Sequence, residues 1–124
     1  FLIDDYETFP DRANEETFLV VQIETPEAVA NVDAIAATPG VDGMFVGPGD
    51  LGLRLKHDKS DLTLESAFEQ VAAAAARHGK AWGCPVGTKA DLQKRRSQGG
   101  QLLAHGGEFR ALMDMLEASA ADFD

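Results

Sequence analysis

The sequence predicts an α/β fold with a parallel sheet, and three observations support this. Short apolar segments alternate with amphipathic helical segments four times along the chain, an alternation typical of parallel strands joined by helices. The apolar segments are rich in β-branched and aromatic residues and are too short for helices. Glycine and proline separate the segments, as expected where a chain turns. Four such units form either a small open sheet or half of an eight-stranded barrel.

The first unit contains two predicted strands, residues 18–23 and 44–46, with a helix between them. Thr25 is a suitable N-cap for this helix, and Pro26 suits its first turn. Gly40 follows its end. One apolar face is formed by Val29, Val32, Ile35 and Ala36.

The other elements continue the alternation. Helices are predicted at 63–78, 89–97 and 108–120, and strands at 80–84 and 101–104. Ser60 or Asp61 can cap the first of these helices. Residues 53–61 are charged and turn-rich, so we expect a mobile surface loop there. Residues 11–16 are polar and predict a loop or a short helical turn, and residues 1–3 suggest the end of a preceding strand or helix.

Length and composition indicate one domain, residues 1–124, with a hydrophobic core of its own. The net charge of −10 argues against nucleic-acid and anionic-membrane partners. The only basic run, Lys94-Arg95-Arg96, suits the C-terminal end of a helix. No apolar run is long enough to span a membrane. The first residue is not Met and no signal-peptide layout follows it, so we expect a fragment.

Cys84 is the single cysteine of the chain. One cysteine excludes an internal disulfide and fits a reducing compartment, so we expect a cytoplasmic protein. We expect Cys84 itself to be a small buried apolar residue.

Acidic side chains follow the first two strands. Glu24 comes directly after the first strand, and Asp50 follows the turn Gly47-Pro48-Gly49 behind the second. Carboxyl ends of parallel strands share one edge of a sheet, and adjacent strands lie about 4.8 Å apart, so both carboxylates can meet one cation. Oxygen ligands favour a hard cation such as Mg²⁺ or Mn²⁺. In the alternative interpretation both residues serve only helix N-termini.

The turn at residues 47–52 also has two interpretations. Its glycines and proline can simply end the strand and reverse the chain. They can also let backbone N–H groups approach an anion, beside the N-terminus of a short helix that starts near Asp50. The turn is neither a Walker A loop nor GxGxxG.

The sequences QIET at 22–25 and VDGMFVGPGDL at 41–51 resemble motifs of the HpcH/HpaI aldolase family. This family comprises the class II, pyruvate-dependent aldolases, has the citrate lyase β-like enzymes as relatives, and includes a macrophomate synthase-like subgroup that looks particularly similar. The resemblance implies a (β/α)₈ TIM barrel of the phosphoenolpyruvate/pyruvate type. This chain would be its C-terminal part and supply strands 5 to 8.

The resemblance also implies the roles of the site residues. Glu24 and Asp50 would be the metal ligands, and Gln22 would line the pocket. Backbone amides around Gly47, Gly49 and Asp50 would bind the substrate carboxylate. The metal would be Mg²⁺ or Mn²⁺, with Co²⁺ or Zn²⁺ as alternatives.

The function implied is a carbon–carbon lyase, an aldolase that acts through a metal-stabilised pyruvate enolate. Its substrate would be a small 2-oxo acid such as pyruvate or oxaloacetate. The family's catalytic His and Arg belong to the other barrel half, so we expect the isolated chain to be inactive and assign no such role to His57, His78, His105 or Arg54. Family barrels form hexamers that exchange C-terminal helices, so we expect a homo-oligomer.

Departures from the family pattern leave alternatives open. Gly52-Leu53-Arg54 stands where the family commonly has Ser-x-Ser, which leaves substrate choice open. Glu108 follows a glycine turn where a Ser-Asp pair is common, and serves as a helix-start residue in either case. The rival functions are an acyl-CoA lyase of the citrate lyase β or malyl-CoA type, and a non-catalytic metal-binding or assembly fragment.

Overall fold

A computed structural model describes residues 6–123. Four parallel strands form one sheet in the order β1-β2-β3-β4, and helices connect consecutive strands. The elements are α1 (Phe9–Glu16), β1 (Val20–Ile23), α2 (Pro26–Ala30), α3 (Val32–Ala37), β2 (Gly43–Val46), α4 (Pro48–His57), α5 (Leu64–His78), β3 (Ala81–Val86), α6 (Lys89–Ser97), β4 (Leu102–His105) and α7 (Glu108–Ala121). The predicted strand–helix alternation is therefore confirmed.

The hydrophobic core lies on one face of this sheet. Ile23, Met44 and Val46 are fully buried there against the helices. Strand side chains alternate between faces, and on the other face Gln22 is exposed and its partner Phe45 is only half-buried. One covered face and one open face are what half of a barrel presents, because the inner face of a barrel is filled by side chains from all its strands.

Side-chain caps begin three of the seven helices described, α2, α5 and α6. The hydroxyls of Thr25, Thr63 and Thr88 each accept a hydrogen bond from the backbone N–H three residues ahead, at 2.9, 3.1 and 3.1 Å. The expectation that Ser60 or Asp61 caps α5 was wrong, because Thr63 is closer to the first helical residue and fulfils this role. Gly79 ends α5 in the left-handed conformation, at φ 64°, as glycine does without a Cβ penalty.

The predicted loop at 53–61 was wrong in its first half, because α4 continues to His57. Leu51 and Leu55 are 0% and 8% exposed, and their four-residue spacing places both on the buried side of α4. The helix therefore forms by packing on the core, although Arg54 and Lys56 give its other side the composition of a loop.

Smaller differences concern element boundaries. The helix predicted after β1 divides at Asn31 into α2 and α3, and a full helix forms at Phe9–Glu16. Strand β3 continues through Pro85, which is tolerated because β2 pairs with β3 only as far as Gly83. Residues 1–3 lie outside the described residues. Across residues 6–123, every helix is too short or too polar for a membrane span.

A buried cation joins α6 to α5. Arg95 does lie near the C-terminal end of α6, but it is only 6% exposed. Its guanidinium lies 3.9 Å from the Phe68 ring centre and donates to both carboxylate oxygens of Glu65 at 3.1 and 2.9 Å. Stacking on the ring and the two-pronged ion pair offset its desolvation. Cys84 is fully buried, as predicted.

Candidate functional site

A hollow of about 300 Å³ opens at the carboxyl ends of β1 and β2. The structure brings the predicted residues Gln22, Glu24 and Asp50 together in its wall. Gln22 belongs to β1, Glu24 follows it directly, and Asp50 lies in the first turn of α4. Because β1 and β2 are parallel and adjacent, their ends deliver both carboxylates to the same edge, as the sequence predicted.

Gly47 is closely fitted to Glu24. The Gly47 N–H donates to the Ile23 carbonyl at 3.1 Å, which continues the β1–β2 ladder into the turn. A Cβ at this position would lie 3.0 Å from Oε2 of Glu24 and 3.3 Å from its Cγ. The position therefore requires a residue without a side chain if the Glu24 carboxylate is to stay where it is.

The first turn of α4 offers backbone donors to the same edge. Pro48 occupies the start of the helix and has no N–H, and Leu51 donates to the Gly47 carbonyl at 3.1 Å. The amides of Gly49 and Asp50 fall in the first turn, where a helix supplies no acceptor, and both residues are exposed. Of the predicted residues, Gly47 and Gly49 do not line the hollow itself. The Gly47 amide is engaged by Ile23, so the predicted binding of a substrate carboxylate can involve only the Gly49 and Asp50 amides.

The donor set of the hollow suits a hard divalent cation. Glu24 and Asp50 are carboxylates and Gln22 carries an amide oxygen, which are ligands that Mg²⁺ and Mn²⁺ prefer. Within residues 6–123, no cluster of three or more His, Cys, Asp or Glu side chains can hold a metal. Two carboxylates are sufficient for Mg²⁺, which commonly keeps several waters and uses one or two protein carboxylates beside its substrate.

Arg54 also lines the hollow. No catalytic role was predicted for Arg54, because the family's catalytic Arg belongs to the other barrel half, and residue 54 fell within the predicted loop. The four-residue spacing of Leu51 and Leu55 was the signal that could have placed it on α4, one turn after Asp50 on the same side of the helix.

The three histidines lie outside the hollow. His57 contacts Asp58 at 2.9 Å, and His78 contacts Asp33 at 3.1 Å. His105 faces the Val86 carbonyl at 3.0 Å. Each histidine thus has a local or packing contact, and the absence of a catalytic role for them stays a prediction.

Comparison with known proteins gives matches to the family that the motifs at 22–25 and 41–51 resemble. The family model described as HpcH/HpaI aldolase/citrate lyase matches residues 4–114. A 5-keto-4-deoxy-D-glucarate aldolase of Salmonella gallinarum is 40% identical over 112 residues, which are 84% of this chain and 44% of that protein. The Klebsiella pneumoniae protein of that name is 38% identical over 117 residues, which are 88% of this chain and 46% of that protein. The chain spans about half the length of the curated relatives it matches.

Solved structures show the same relationship. A HpcH/HpaI aldolase/citrate lyase family protein from Burkholderia cenocepacia superimposes with a TM-score of 0.79 and 32% identity over 94% of this chain and 46% of that one. A HpcH/HpaI aldolase from Desulfitobacterium hafniense superimposes with a TM-score of 0.79 and 26% identity over 99% of this chain and 49% of that one. Macrophomate synthase superimposes with a TM-score of 0.66 and 24% identity over 100% of this chain and 46% of that one. At this identity the likeness concerns the fold alone. The predicted fold class, part of a (β/α)₈ barrel, is confirmed.

Proposed function

This chain belongs to the HpcH/HpaI aldolase/citrate lyase family, and we propose that it supplies the metal-holding half of a divalent-metal-dependent 2-oxo-acid aldolase. One observation carries the proposal. Glu24 and Asp50 line a single hollow at the ends of two adjacent parallel strands, with Gly47 fitted against the Glu24 carboxylate. The aldolase names of the curated relatives favour this activity over that of an acyl-CoA lyase.

The proposed roles follow from the geometry. Glu24 and Asp50 would hold Mg²⁺ or Mn²⁺, with Co²⁺ or Zn²⁺ as substitutes, and Gln22 would line the pocket beside them. When bound, the cation supplies a Lewis acid for the negative charge that develops on a keto oxygen during carbon–carbon cleavage. Gly47 has no side chain and therefore leaves room for the Glu24 carboxylate at this position.

The substrate would be bound through its carboxylate. The N–H groups of Gly49 and Asp50 lie at the N-terminus of α4, where the helix dipole and free donors favour an anion. We propose a small 2-oxo acid, such as pyruvate or oxaloacetate, as the component held there. The relatives' name refers to a keto-deoxy derivative of glucarate, and we propose this class of keto sugar acid as the aldol of the whole protein.

The catalytic base and a keto-polarising arginine are not assigned within this chain. We propose that the chain is a single domain, the C-terminal part of the barrel, and that these groups come from the N-terminal half. The isolated chain would then bind the metal without catalysing cleavage. Exchange of the pyruvate methyl protons catalysed by the 124-residue chain alone would contradict this proposal.

The test of the site uses Glu24→Gln and Asp50→Asn in the whole protein that carries this chain. Both changes remove a ligand charge with little change in size, so Mn²⁺ affinity and metal-dependent proton exchange of pyruvate should be lost together. Glu27→Gln is the matched control, because Glu27 is an exposed carboxylate in the first turn of α2. Retained proton exchange with bound Mg²⁺ in either site variant would refute the proposal.

The last helix supports a proposal about assembly. Phe109, Leu112 and Leu116 of α7 are 75%, 50% and 51% exposed, although the sequence gives them one apolar face. We propose that α7 packs against a second copy of the chain in a homo-oligomer. Light scattering tests this: a monomer at micromolar concentration would contradict it.

The acidic charge and the reduced Cys84 support a cytoplasmic protein with no nucleic-acid or membrane partner.

A further inference from the structure

Arg54 is turned toward the carboxylate hollow by the way α4 packs. It lies four residues after Asp50 in the helix, so the two side chains share one side. Leu51 and Leu55, at 0% and 8% exposure, are buried in the core, about 100° round the helix from Asp50 and Arg54. The rotation of the helix is therefore fixed, and Arg54 lines the hollow together with Gln22 and Glu24.

The guanidinium of Arg54 has no partner within residues 6–123. No hydrogen bond or ion pair of this part of the chain includes it. Four of the six arginines of the sequence, Arg12, Arg77, Arg95 and Arg110, do pair with a carboxylate. Arg54 shares its hollow with two carboxylates and pairs with neither, so its donors remain available to an anion that enters from outside.

We propose that Arg54 binds a second carboxylate on the substrate and makes the site select dicarboxylic 2-oxo acids. This inference rests on the proposed function, because Glu24, Asp50 and the first turn of α4 are taken to hold the keto-acid head. Arg54 lies one turn further along α4, about 6 Å from Asp50 at the rise of an α-helix. The far end of a short substrate reaches that position, and a guanidinium binds a carboxylate through two parallel hydrogen bonds.

Two ligands of equal length separate this role from general anion binding. 2-Oxoglutarate and 2-oxopentanoate have the same five-carbon chain and the same keto-acid head, and they differ in a terminal carboxylate or methyl group. Calorimetric titration of the whole protein that carries this chain, with saturating Mg²⁺, gives a dissociation constant for each. We expect the dicarboxylate to bind about tenfold more tightly, the size of one charge-assisted hydrogen-bonded pair.

Substitutions of Arg54 test whether this residue causes the preference for the dicarboxylate. Arg54→Gln should bring the ratio of the two constants close to one and leave 2-oxopentanoate binding within about twofold, since less than 0.5 kcal/mol is involved there. Arg54→Lys should retain part of the preference, because it keeps the charge and loses the planar fork. Arg96→Gln is the matched control: Arg96 is also exposed and without an ion pair in residues 6–123, and it lies on α6.

The outcomes distinguish this inference from the proposed function. An unchanged preference in Arg54→Gln, or an equal loss of both ligands, would overturn the role of Arg54 while head binding through the metal stands. Binding of both ligands that persists without Mg²⁺ and in Glu24→Gln would instead refute the proposed function. A preference that falls with Arg54→Gln and not with Arg96→Gln supports the inference.

Discussion

Replacing Gly47 by alanine tests whether the Glu24 carboxylate is held in a fixed position. The new Cβ would lie 3.0 Å from Oε2 of Glu24, 3.3 Å from Cγ and 3.5 Å from Cδ. Ordinary contact requires the carboxylate to retreat by roughly 0.4 Å. Mg²⁺ and Mn²⁺ tolerate little change in the ligand position, and disturbing the support of a metal ligand typically costs about tenfold or more in affinity. We expect a loss of about tenfold in Mn²⁺ affinity.

Calorimetric titration of Mn²⁺ into the unsubstituted and variant chains measures this change. Gly52→Ala is the control, because a Cβ there meets only the Leu64 side chain at an ordinary 3.6 Å. It should leave Mn²⁺ affinity unchanged and stabilise α4 by about 0.5–1 kcal/mol, as alanine does in a helix interior. Equal Mn²⁺ affinity in Gly47→Ala and the unsubstituted chain would refute the reasoning, as would an equal loss in Gly52→Ala.

Two further predictions concern the core. Hydrogen bonds from Arg95 and Lys94 lower the pKa of Glu65 from 4.5 to about 2. The ion pair therefore stabilises the fold above pH 4.5 and loses its contribution as the pH falls toward 2. Because the Glu65 side chain is 39% exposed, solvent screening leaves the ion pair about 1 kcal/mol of stabilisation. In Glu65→Gln the loss of this stabilisation should be missing from the acid unfolding curve between pH 4.5 and about 2. An acid transition identical to that of the unsubstituted chain would contradict the prediction. Burial raises the pKa of the Cys84 thiol, so a thiol reagent should modify Cys84 only after denaturation in guanidinium chloride, and rapid reaction of the native chain would show the burial to be wrong.

Much of the fold was predictable because its signals are local. Each strand is a short apolar run, and Thr25, Thr63 and Thr88 lie where a helix needs a side-chain acceptor. A short helix near Asp50 was one interpretation of the sequence, but the continuation of α4 to His57 was not predicted, since its charged residues resemble a loop and the helix depends on Leu51 and Leu55 reaching the core. Tertiary packing therefore determined this element, and local composition was misleading.

The candidate site was predictable in part for a topological reason. Once the strands are parallel, the residues that follow them must share an edge, and this alone brings Glu24 and Asp50 together. The sequence does not encode partners at long range in the same direct way. Glu65 and Arg95 are 30 residues apart and form their pair only because α5 and α6 pack on the same strand. Arg54 lines the hollow through the second half of α4, which was not predicted from the sequence.

The two faces of the sheet differ: helices cover one face, and the other is open. The helix-covered face buries Ile23, Val46 and Leu51 completely. Ile23 directly precedes Glu24 in the chain, and Leu51 directly follows Asp50. The positions of the proposed metal ligands are therefore supported by a core that residues 6–123 build themselves. The other face, with Gln22 exposed and Phe45 half-buried, lacks the side chains that fill a barrel interior. The proposed metal site thus belongs to the part of the fold that residues 6–123 build, and the open face is the one that the remaining strands of a (β/α)₈ barrel would cover.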